Sequence, residues 1–137
     1  MSEKFLKAAV IYLLLGIAVG ITMASSHNFA DRPLHAHLNL LGWASMAIMA
    51  LCYRAFPGLA QSPLANAHFW LYNLGAPLTL VGVLAIDHGR MDTGEPLAAI
   101  GSMVVAAGIF CFAVNVWRNC GAAQAAAMPE GLALNRR

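Results

Sequence analysis

RPLHAHLNLLGW, residues 32–43, carries the side chains with the most chemistry to offer. Two imidazoles, His35 and His37, stand two residues apart where a polar loop gives way to a long apolar run. Imidazole suits iron, copper and zinc alike. Successive residues of a helix rotate by about 100°, so His35, Asn39, Gly42, Met46 and Met49 share one stripe. His37, Leu41, Ala44 and Ile48 lie roughly 160° away from it. A chelating pair on one helix wants a spacing of three or four. The two histidines therefore do not form one metal site from this helix alone.

The His35 stripe matches the needs of a flat, iron-bearing ligand. His35 offers an axial nitrogen, as haem iron commonly has. Gly42 removes side-chain bulk, Asn39 offers a polar group, and Met46 with Met49 offers soft, adaptable packing. Each also has a plain structural use: His35 as a polar boundary residue, Asn39 as an interhelical hydrogen-bond partner, the methionines as core.

The elements that must position these residues are membrane helices. The chain has 137 residues, 60% hydrophobic and 10% charged, against about 25% charged in soluble domains. Four runs approach the ~20 apolar residues that span a bilayer: residues 5–24, 34–56, 65–86 and 97–117. The first is too long for a signal-peptide core and reads as a retained helix. The loops between the spans are short and rich in Gly, Pro, Ser and Asp. The expectation is an all-α integral membrane protein, one antiparallel four-helix bundle over residues 1–137, with a loose tail over 119–137. Pro33 suits a helix first turn and Asp31 an N-cap. Pro77 should kink the third span or free a carbonyl. Gly16 and Gly20 form a G-x-x-x-G pair, and glycines recur in the third and fourth spans. Such residues serve packing within a bundle or between bundles.

Lys and Arg set orientation. With the N-terminus inside, Lys4, Lys7, Arg54, Arg118, Arg136 and Arg137 are cytoplasmic, and only Arg32 and Arg90 are outside. Both termini are then expected in the cytoplasm of a bacterial-type inner membrane. This orientation sends His27, His35, His37 and His88 to the outer face, with His68 alone on the inner side in an interface or packing role. Asp87 could orient His88. Cys52, Cys111 and Cys120 read as free thiols. There is no basic run for nucleic acid, no phosphate-binding glycine loop and no hydrolase triad.

RPLHAHLNLLGWASMAIMALCYRAFP resembles the second transmembrane helix of the large subunit of the haem-copper oxidase superfamily, closest to its nitric-oxide reductase and C-type oxidase branch. HFWLYNLGAPLTLVG looks like the helix that follows. The resemblance runs over about residues 5–118, the first four of the family's roughly twelve helices. It implies that His35 is an axial ligand of a low-spin haem b. His37 falls where the family usually has an asparagine, so its role is not inherited. The opposite haem ligand and the copper ligands come from later helices, so this chain alone does not make a complete enzyme. The implied function is a b-type haem protein for electron transfer or diatomic-gas binding. A second axial ligand would come from His88, His27, or His37 or His35 of another copy. Copper or zinc held by His27, His37 and His88 is the alternative, and a cofactor-free accessory subunit of a respiratory complex a third. The expected partners are the lipid bilayer, further copies of the chain and a respiratory redox partner.

Overall fold

The structure is a computed structural model that describes residues 1–120. The tail expected from residue 119 falls, after Cys120, outside the described residues. Four long helices are apolar enough to cross a membrane: Ser2–Ser26, Arg32–Ala55, Pro63–Asp87 and Met91–Asn119. The protein is a multi-pass, all-α membrane bundle. We label α1 (Ser2–Ser26), α2 (Arg32–His37), α3 (Ser45–Ala55), α4 (Pro57–Gln61), α5 (Pro63–Asp87) and α6 (Met91–Asn119). A π-helical segment, Leu38–Ala44, joins α2 to α3 within the second span.

The π segment was not anticipated from the sequence. Its signal is a run of buried positions four apart, Leu34, Leu38, Gly42 and Met46. A strict spacing of four drifts around a 3.6-residue helix, and a wider turn keeps it on one face. Where pairing returns from i→i+5 to i→i+4, one carbonyl is left without an N–H of its own. The Tyr72 hydroxyl of α5 donates to the Leu41 carbonyl there, at 3.0 Å. Ser45 Oγ donates to Leu40 O at 2.8 Å. In a bilayer such donors matter, because no water replaces them.

α5 and α6 form a close antiparallel pair along glycines seven apart. A Cβ on Gly75 would lie 2.7 Å from Val105 N, and one on Gly94 would lie 2.9 Å from Gly82 O. Cβ atoms on Gly82 and Gly101 would run into the backbones of Ala98 and Thr79. Of the two uses open to these glycines, packing inside the bundle is the one observed. The same contact extends α6 back to Met91, so residues 91–96, expected as loop, are helical despite Gly94 and Pro96. Gly94 is buried against Ile86 and Gly82, and that packing outweighs local punctuation. α5 runs through Pro77 as one element. Proline has no N–H, so the Asn73 carbonyl loses its i+4 donor.

The main core joins α1, α3, α5 and α6 through Phe5, Met46, Tyr53, Tyr72 and Val105, with Leu59 of α4. A second cluster of Leu34, Leu38, Leu80 and Val83 locks α2 and the start of the π segment to α5. The three cysteines are unpaired.

Candidate functional site

His35 is half-buried against α1. Its Nδ1 lies 2.9 Å from the Gly16 carbonyl oxygen. A carbonyl only accepts, so Nδ1 carries the proton and donates. The neutral ring then holds its lone pair on Nε2. A backbone carbonyl fixing the tautomer in this way is the usual support of a metal-ligating imidazole. Gly20 makes room for the ring: a Cβ there would lie 3.0 Å from His35 Cε1. The G-x-x-x-G pair of α1 is therefore a seat for His35 and Asn39. Asn39 lies over Gly16, where a Cβ would come within 2.7 Å of its Nδ2. Asn39 Nδ2 donates to the His35 carbonyl at 2.8 Å and stands 3.5 Å from His35 Nε2.

The rest of the stripe is committed to packing. Gly42 admits Tyr12, whose Cβ would sit 2.5 Å from a Cβ on Gly42. Met46 is 0% exposed, deep in the core. The sequence placed Gly42 and Met46 as the wall for a flat ligand. In the structure α1 fills that place, since a lone transmembrane helix cannot say which neighbour lies over its small residues.

The other outer-face histidines stand apart. His27 is the C-cap of α1 with φ of 53°, a left-handed conformation that His adopts more readily than most residues. Exposed His37 donates from Nδ1 to Pro33 O, one turn back, at 2.8 Å. Exposed His88 does the same to Leu84 O at 3.0 Å. Among the described residues, no three His, Cys, Asp or Glu side chains come together as metal donors. His35 faces α1, whereas His88 belongs to the side of α2 that meets α5.

On that α5 side the two aspartates exchange the roles expected of them. The Leu34 N–H, at the third position of α2, is accepted by Asp87 Oδ2 of α5 at 3.2 Å. Asp31 makes no side-chain cap, its backbone standing at φ −82° and ψ 19° rather than in the extended region usual for an N-cap. Asp31 Oδ1 instead lies 3.6 Å from His88 Nδ1, buried and without a hydrogen bond. Together these contacts join the α1–α2 loop to the end of α5.

At the opposite end of the bundle, His68 is 0% exposed. Its Nδ1 shares a hydrogen bond with the Tyr53 hydroxyl at 2.9 Å, and Nε2 has no hydrogen-bond partner. The rings of Phe5 and Phe112 lie 4.8 and 4.9 Å away, centroid to centroid. Tyr72 stands edge-on at 5.8 Å. The sequence reading of His68 as an interface or packing residue missed its Tyr53 partner, fifteen residues back on another helix.

No family model, no curated protein and no solved structure matches this chain.

Proposed function

We propose that this chain is a b-type haem-binding membrane protein, with His35 Nε2 the iron ligand. The observation that carries the reading is the Nδ1–H bond to Gly16 O, which holds the imidazole in the tautomer a ligand needs. The imidazole fits the role of an iron ligand. Asn39, Gly42 and Met46 do not fit a haem wall, because α1 and the core already occupy them. Haem contact within the chain therefore reduces to His35 and whatever lies outside the α1–α2 seam. A second iron ligand would have to come from another copy of the chain or from a diatomic gas. A bound haem would supply one-electron transfer or gas binding; Gly16 and Gly20 would hold the ligand ring still, and the Asn39 amide, 3.5 Å from Nε2, would have to give way to the iron.

Protein purified from haem-replete cells is expected to be red, with near-stoichiometric haem, a Soret band and a dithionite-reduced spectrum. His35→Ala should lose nearly all of it, and His37→Ala should keep it. Colourless wild-type protein would sink the proposal.

The orientation rests on the six-to-two distribution of Lys and Arg. We place both termini in the cytoplasm of a bacterial-type inner membrane. An alkaline phosphatase fused after Arg137, active only outside the cytoplasm, should stay silent. A reporter fused after Gly89 should be active. The reverse pattern overturns the placement.

A further inference from the structure

A hollow of about 690 Å³ opens between the first turn of α1, the last turns of α3 and the short helix α4. It lies at the end of the bundle opposite His35. Its wall combines two kinds of surface. Lys4 and Arg54 line it with cations, and Glu3 is a single opposing charge. Neither cation forms an ion pair among the described residues. Leu6 and Leu51 line it too, and are 46% and 66% exposed on the lipid-facing sides of their helices. Tyr53, 3% exposed, lines the same hollow on the core side. The rim is held in shape: Ser2 Oγ donates to Ala50 O at 2.8 Å, tying α1 to α3. Lys4 Nζ stands 5.8 Å from the centre of the Phe69 ring of α5, which does not line the hollow.

Cations at the end of membrane helices, beside exposed leucines, complement an amphiphile with an anionic head. We propose that this hollow binds one anionic phospholipid, its phosphodiester between Lys4 and Arg54 and an acyl chain along Leu6 and Leu51. Free phosphate matches the cations but leaves the leucines unused. A zwitterionic lipid matches the leucines but brings its own cation toward Lys4 and Arg54. The charge of the lining side chains, two cations against Glu3, favours a lipid with net negative charge. The inference is independent of haem binding, which concerns the other end of the bundle.

The test titrates dioleoyl phosphatidylglycerol or dioleoyl phosphatidylcholine into the detergent-solubilised full chain, with bound lipid counted by native mass spectrometry. Phosphatidylglycerol should bind the more tightly. Each basic residue near a lipid surface contributes about fivefold, so Lys4→Gln with Arg54→Gln should weaken phosphatidylglycerol binding ~25-fold. Arg118→Gln, outside the hollow, should change nothing. Equal affinity for the two lipids overturns the proposal, as does undiminished phosphatidylglycerol binding by the double variant. Inorganic phosphate competing as strongly as the lipid also overturns it, since the hollow would then be an ion site. Should the double variant not fold, Glu3→Gln decides: phosphatidylglycerol should bind about fivefold tighter, and an unchanged affinity rejects the site.

Discussion

Gly82→Leu is expected to abolish the cooperative fold. A Cβ at Gly82 meets the backbone of Ala98, and its nearest side-chain atom, Ala98 Cβ, lies only 2.8 Å away. Backbone cannot swing aside as the tip of a flexible side chain can. Overpacking a core ordinarily costs about 1–3 kcal/mol. Here α5 and α6 must separate along their whole seam, because Cβ atoms on Gly75, Gly94 and Gly101 would also come within 3 Å of the facing backbone on the same line. The loss should therefore exceed ~3 kcal/mol. Without strong hydrophobic drive between helices inside lipid, close backbone approach is the main attraction lost. Ala99→Leu, one residue from the contact on the exposed side of α6, should be nearly neutral. Thermal unfolding in detergent, followed by helical circular dichroism, separates the two. An unchanged melting temperature for Gly82→Leu would show that the seam is not as drawn.

Tyr53→Phe and His68→Phe should each destabilise the bundle, and the double variant should be less damaged than their sum. Tyr53 and His68 share one buried hydrogen bond at 2.9 Å. With Tyr53 truncated, neither imidazole nitrogen has a hydrogen-bond partner, since Nε2 already lacks one. A buried polar group stripped of its partner costs about 1–3 kcal/mol, whereas replacing both partners by apolar groups of similar shape can be nearly neutral. The surroundings favour the apolar pair. Phe5 stacks on Tyr53 with ring centres 5.7 Å apart, and Phe112 lies 4.9 Å from the His68 ring. A coupling of about 1–2 kcal/mol is expected from the double-mutant cycle. Strict additivity would mean that the pair is not an energetic unit.

The four spans were legible because they rest on composition: apolar runs of bilayer length are a property of one segment at a time. Helix ends were legible only in part. Met91–Pro96 read as loop from its Asp, Gly and Pro, and became helix because Gly94 packs on Gly82 and Ile86. The π turn at Leu38–Ala44 left a faint trace in the four-residue spacing of buried positions, which an assumed 3.6-residue period hides.

The candidate site divides along the same line. That His35 and His37 point to different sides followed from 100° per residue alone, and His35 indeed faces α1 while His37 is exposed. Which helix would lie over Gly42, which aspartate would cap α2, and which hydroxyl would meet His68 were decided only by the tertiary structure. Each is a contact between residues that neither periodicity nor charge brings together: Tyr12 with Gly42, Asp87 with Leu34, Tyr53 with His68. In a membrane the apolar drive says that a segment enters lipid but not which neighbour it takes, so partner choice is left to close backbone approach and to a few buried polar groups.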